Sequence, residues 1–168
     1  MNILYIHGLN SSLIPEKRII VERFGIVTAP FIDYEADPNR IEWLYHNHKN
    51  KDIDVIIGSS MGGFSGYHLS RLLQVPALLF NPALAERSVY QNIPKTRSTN
   101  GSNLHIVLGA KDDIVDPIKT LSFLAELMDQ PQDYKISIRH ELEHRIPVSV
   151  FEEEVSLFFE QLTFKANK

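Results

Sequence analysis

Short apolar runs alternate along the chain with longer stretches whose apolar residues recur at helical spacing. Six runs read as strands: residues 2–6, the β-rich 25–32 with Ile26, Val27 and Thr28, residues 55–57, 76–80 and 104–108, and the alternating run 134–138. Residues 55–57 do not alternate, which predicts a strand covered on both faces. The intervals predict helices. Residues 15–24 carry Ile19, Ile20 and Phe24 and stop at Gly25. Asp37-Pro38 reads as an N-cap followed by proline at the first helical position, opening a helix to Asn50 with Ile41, Leu44 and Tyr45 inward. Residues 61–73 follow, with Phe64, Leu69, Leu72 and Leu73 packing down. Residues 117–128 repeat Ile118, Leu121, Leu124 and Leu127, and residues 147–162 carry Val150, Val155, Phe158, Phe159 and Leu162. Between residues 84 and 103 the chain is polar and irregular, punctuated by Pro94, Asn100 and Gly101.

Strands separated by helix-length segments imply βαβ crossovers, hence a mainly parallel sheet of about six strands with helices on both faces. In such sheets functional groups gather at the carboxyl ends of the strands. Those ends carry His7-Gly8, Ser60, Asn81, Asp112 and the stretch from His140 to His144.

A length of 168 residues predicts a single domain, 1–168. The net charge of −4 supplies no basic surface for nucleic acid. The absence of cysteine removes disulfide and thiolate chemistry. Residues 1–6 lack the basic flank of a targeting segment, and no apolar run approaches a membrane span, so the expected setting is cytoplasmic with no membrane partner. Glu152-Glu153-Glu154 reads as a solvated helix face. His46 and His48 diverge on their helix and make no metal site.

Against that background Gly58-Ser59-Ser60-Met61-Gly62 is the most informative stretch. A G-x-S-x-G pattern between a β-branched run and a helix reads as a nucleophile elbow, with Ser60 on a tight turn above the sheet edge. The flanking glycines fit positions where the turn leaves no room for a Cβ. A serine hydroxyl needs a base. His140 directly follows the last strand, whereas His144 has the loop slack to reach back to Ser60 and is preferred over it. The acid that orients the base belongs in the loop of Asp112, Asp113 and Asp116. Asp112 lies nearest the strand end and leads over Asp113, while Asp116 before Pro117 reads as a helix N-cap. Two backbone N–H groups, those of Leu9 and Met61, are expected to form an oxyanion hole, and His7 to order the loop before Leu9. Serine, acid, histidine is the chain order of an α/β-hydrolase triad.

Four motifs taken in order, from Leu4 to Ser12, from Gly58 to Gly63, Asn81-Pro82-Ala83, and from Asp112 to Asp116, resemble the small bacterial α/β-hydrolases of the YqiA-like esterase type. The resemblance spans most of the chain. It implies a minimal α/β-hydrolase fold and a serine esterase cleaving short acyl or aryl esters without metal or organic cofactor, with the acid on Asp112 and the base on His144. Such families carry a glycine or small residue just before the histidine, where this chain has Glu143. About twenty residues separate Asn81 from Leu104, too few for a cap domain, so an open, shallow acyl pocket is expected. Leu9, Phe64, Leu84, Val115 and Ile146 are its expected walls. Thioesterase or amidase and peptidase chemistry on the same triad, or a non-catalytic binding module, are the alternatives. The loops contain neither G-x-G-x-x-G nor G-x-x-x-x-G-K-[ST], which argues against a nucleotide site.

Overall fold

In the computed structural model, residues 1–95, 102–127 and 133–166 are described. The expected turn residues Asn100 and Gly101 and the helix end at Met128 lie outside them. Six strands, β1 (Asn2–Ile6), β2 (Ile26–Thr28), β3 (Val55–Ser59), β4 (Ala77–Phe80), β5 (Asn103–Gly109) and β6 (Asp133–Arg139), form one sheet in the order β2-β1-β3-β4-β5-β6. Every pairing is parallel. Helix α1 (Pro15–Glu22) lies between β1 and β2, α2 (Arg40–His48) between β2 and β3, α3 (Met61–Leu73) between β3 and β4, and α4 (Pro117–Ala125) between β5 and β6, while α5 (Val148–Ala166) follows β6.

The pleat divides the apolar residues between two cores. Leu4, Ile6 and Ile56 face one way, into a cluster with Ile41 and Leu44 of α2, Phe64 and Tyr67 of α3 and Leu124 of α4. Ile3, Tyr5, Val55 and Ile57 face the other way, against Ile20 and Val21 of α1 and Phe151, Val155 and Phe158 of α5. A strand buried on both faces has no polar side to show, which is why β3 does not alternate. The edge strand β2, only three residues long, leaves Ile26 exposed.

Several local expectations are corrected. Asp37 does not cap α2: its Oδ1 accepts from the backbone and side chain of Asn39 in a turn, and the helix starts only at Arg40. Ile19 and Ile118 point outward, because α1 packs through Ile20 and Val21 and α4 through Thr120 and Leu124. Glu154 is no part of a solvated face. It is buried, bonded to Arg139 Nε at 2.7 Å, with His105 Nε2 3.4 Å from its second oxygen. Glu152 and Glu153 stay at the surface and pair with Arg23 and Arg139. Among the described residues no helix is long and apolar enough to cross a membrane.

The order of the strands sets the position of the site. From β1 the chain steps outward to β2, then returns to lay β3 on the other side of β1, so connections diverge between β1 and β3. The register pairs Ile6 with Gly58, which puts the loop after β1 beside the turn after β3.

His68, on α3, is enclosed by the rings of Phe64 and Tyr67, and its Nε2 has no partner among the described residues. Burial, reinforced by the charges of Arg71 and Arg87, lowers its pKa from 6.5 to about 3. The unfolded chain therefore binds a proton that the folded chain refuses between those values, so this stability is complete above pH 6.5 and drains away as pH falls toward 3. At about 1.4 kcal/mol per pH unit, His68 should account for about 3 kcal/mol of the loss by roughly pH 4.5. Urea unfolding of the wild type and His68→Leu across this range should show a flatter pH profile for the variant.

Candidate active site

The site begins with a steric demand. The chain leaves β3 and enters α3 without a spacer, so Ser60 must turn it alone, at φ 54° and ψ −118°. A non-glycine residue held at positive φ stores strain that its surroundings must enforce. Three backbone bonds do so: Ser60 N–H donates to Phe80 O at 2.9 Å, and Ser60 O accepts from Phe64 N at 2.9 Å and Ala83 N at 3.2 Å. A Cβ on Gly58 would collide with the carbonyl of Gly62, and one on Gly62 with the carbonyls of Ile6 and His7. The two glycines thus let the first turn of α3 sit on the ends of β1 and β3, with Ser60 raised at the apex.

His144 meets this serine from the loop between β6 and α5. Its Nε2 lies 3.1 Å from Ser60 Oγ, and its Nδ1 lies 2.8 Å and 3.0 Å from the two carboxylate oxygens of Asp112. Asp112 is buried, and its Oδ1 also accepts from the backbone N–H groups of Ile114 at 2.9 Å and Val115 at 2.8 Å. An acceptor-only carboxylate requires the proton on His144 Nδ1, which leaves Nε2 free to accept from the serine hydroxyl. Ser60, His144 and Asp112 therefore form one continuous chain of hydrogen bonds. His140 is elsewhere, with its side chain almost fully exposed and its Nδ1 3.0 Å from Glu141. Asp113 is exposed, and Asp116 caps α4 by accepting from Ile118 N and Lys119 N.

The loop after β1 is held by His7. Its Nε2 accepts from Ile32 N at 2.9 Å, so its Nδ1 carries the proton donated to Gly8 O at 2.6 Å. Tyr34 Oη donates to His7 O at 2.9 Å. The loop leads Leu9 into the same cleft as Ser60, Met61 and His144, a space of about 880 Å³. Met61 is the first residue of α3, where backbone N–H groups lack intrahelical acceptors and the helix dipole favours negative charge.

Val115 and Ile146 line this cleft, but Phe64 and Leu84 do not. Both are sealed in the core, Phe64 beneath the guanidinium of Arg87 and against His68. Glu143, beside the histidine, turns its side chain to solvent.

Sequence reasoning passed over the role of Asn81. It sits at the end of β4 with φ 42°, a conformation asparagine tolerates, and is buried. Its Nδ2 donates to the carbonyls of Glu143 and His144, each at 3.1 Å, while its Oδ1 accepts from Gly109 N at 2.7 Å. One amide ties the histidine loop to the ends of β4 and β5. Gly109 allows the approach, since a Cβ there would lie 2.6 Å from Leu142 O and 2.8 Å from Glu143 O. An asparagine ending an apolar strand on the functional edge was the available signal.

The sequence model of the uncharacterised protein family UPF0227 matches residues 2–93. The chain belongs to that family. The matched span holds the Gly8-Leu9 loop and the Ser60 elbow, while Asp112 and His144 lie beyond it. No curated protein matches the chain. Among solved structures, this UPF0227 member is similar to a Bacillus cereus carboxylesterase at 14% identity and TM-score 0.66, covering 94% of this chain and 87% of that one. A variant of SOBER1 from Arabidopsis thaliana aligns at 12% identity and TM-score 0.71, with 96% and 99% covered. Est1E from Butyrivibrio proteoclasticus aligns at 15% identity and TM-score 0.68, with 96% and 88% covered. At these identities the likeness establishes the fold, a minimal α/β-hydrolase fold.

Asn81→Ala removes three bonds from a buried place and leaves the Gly109 N–H unpaired. We expect a loss of about 2–3 kcal/mol in urea unfolding. Amide exchange should quicken from Leu142 to Ile146 more than in α2, which packs into the other of the two cores.

Proposed function

We propose that the protein is a serine hydrolase that cleaves small acyl esters through an acyl-enzyme intermediate. The observation that carries the reading is the unbroken chain from Asp112 through His144 to the strained Ser60. In the first half of the reaction Ser60 Oγ attacks the ester carbonyl carbon as its proton passes to His144 Nε2. The carbonyl π electrons move to oxygen, and the N–H groups of Met61 and Leu9 are the donors proposed for that oxyanion. Collapse re-forms the carbonyl and breaks the bond to the leaving oxygen, which takes the proton from His144. Water then enters the same place, gives its proton to His144 and attacks the acyl-serine, and Ser60 leaves as the alcohol. Asp112, fixed by Ile114 N and Val115 N, keeps the imidazole oriented and stabilises its cationic form.

The cleft favours small substrates. It lies open above Ser60, with Leu9, Ile14, Ile114, Val115, Ile146 and Val148 among its apolar lining, and Phe64 and Leu84 are withdrawn into the core instead of walling an acyl pocket.

A fluorophosphonate probe should label the wild type and fail on Ser60→Ala. His144→Ala should lower kcat for p-nitrophenyl butyrate by roughly 10⁴-fold or more, nearly as far as Ser60→Ala, because the members of the unit act together. His140→Ala should keep most of the activity; the reverse result would move the base to His140. Turnover should favour acetyl and butyryl over palmitoyl p-nitrophenyl esters, and preference for palmitoyl would contradict the open cleft.

A further inference from the structure

Arg87 is a half-buried cation with no ion pair among the described residues. It lies in the segment after β4 and lines both the cleft that holds Ser60 and His144 and a neighbouring pocket shared with Tyr45 and Glu42, whose carboxylate lies 3.6 Å from His46 Nε2. Its guanidinium carbon stands 4.3 Å from the centroid of the Phe64 ring. Its Nε is buried, with no hydrogen-bond partner among the described residues. The neighbouring carboxylate that could neutralise it is turned away: both oxygens of Glu86 accept from Lys119 Nζ at 2.7 Å. Glu86 is also the one acidic residue among those lining the cleft, whereas Lys17, Arg87 and Arg145 are basic. Lys17 is already committed, donating to Ile146 O at 2.8 Å with its ammonium over the ring of Phe151. In a chain of net charge −4, the charged residues that line this cleft are thus mostly basic.

Taking a guanidinium out of water without a counter-ion is costly, and an aromatic face offsets only part of that cost. The missing partner is a planar anion, since the guanidinium fork matches a carboxylate in bidentate fashion. Position narrows the class further. Phe64 lies four residues beyond Ser60, and four residues of helix advance roughly 6 Å, so the ring under the guanidinium springs from the helix about one turn after Ser60. A glutaryl chain bridges such a span.

We propose that Arg87 forms an anion subsite and that the ester this cleft selects carries a terminal carboxylate on a short acyl chain. The inference rests on the serine-hydrolase reading and adds the substrate class.

The test compares kcat/KM for p-nitrobenzyl hydrogen glutarate, which ends in a free carboxylate, with p-nitrobenzyl valerate, its neutral counterpart. The wild type should prefer the glutarate by roughly tenfold or more, the scale of one charge-assisted hydrogen bond. The ratio should collapse toward one in Arg87→Met, whose side chain still covers Phe64, and should shrink in the wild type as salt rises. If Arg87→Met does not fold, Arg87→Lys, which keeps a point charge and loses the fork, should show a reduced ratio. Equal turnover of both esters by the wild type, or a preference that survives at Arg87→Met, overturns the subsite and leaves the hydrolase standing. Calorimetry of glutarate on Ser60→Ala protein, with and without Arg87→Met, separates the two claims. Arg87-dependent binding to Ser60→Ala, found together with a wild type that neither hydrolyses ester nor takes the fluorophosphonate, sinks the catalytic reading and supports the anion subsite. No binding and no turnover overturn both.

Discussion

The site rests on one close contact, the seating of the first turn of α3 on the ends of β1 and β3. No side chain fits at Gly58 or Gly62, because the carbonyls of Gly62, Ile6 and His7 occupy the space. From that contact follow the absence of a spacer between strand and helix, the positive φ of Ser60 and the placing of Met61 at a helix N-terminus. The same contact brings the Gly8-Leu9 loop alongside the serine, since Ile6 and Gly58 are register partners. Backbone packing, rather than any side-chain interaction, thus sets half of the site.

The other half is fixed from the far side of the sheet. His144 stands on a loop that regular structure does not hold, and an imidazole on a free loop would sample many orientations. Asn81 and Gly109 remove that freedom, one by bonding to the loop carbonyls and the other by letting them come close. Asp112 is fixed in turn by two backbone N–H groups in its own loop. Each member of the chain has a dedicated support, and those supports come from different strands. A rigid parallel sheet is what allows such separate anchors to be registered against one another.

Much of this was legible in the sequence because it is written in local patterns. The run from Val55 to Ile57 followed by G-x-S-x-G located the elbow, and the apolar periods located the six strands and five helices found among the described residues, though not the start of α2. The choice of His144 over His140 followed from loop slack, and the structure sets His144 against Ser60 and leaves His140 in solvent. What the sequence hid was tertiary. Glu154 reads as surface until Arg139 and His105 are folded against it. Phe64 reads as a pocket wall until Arg87 is laid over its ring. Asn81 reads as a strand terminator because its three partners come from residues 28 to 63 positions away. Periodicity reports which face of an element is apolar; it does not report what comes to cover that face.

The cover on Phe64 joins the fold to the chemistry. Its ring belongs to the core, yet its outer side carries a guanidinium instead of another apolar group. A leucine in place of Arg87 would seal the core without stranding a donor, so stability alone does not call for a cation at this position. The same charge disfavours protonation of His68 one turn further along α3. The helix therefore carries, within two turns, a strained serine, an aromatic platform bearing a cation, and a histidine kept neutral beneath them. An anion arriving at Arg87 would relieve its unmatched charge and so fits the structure better occupied than empty. That is the physical ground for the proposal that an anionic ester is recognised beside the helix whose N-terminus carries Ser60.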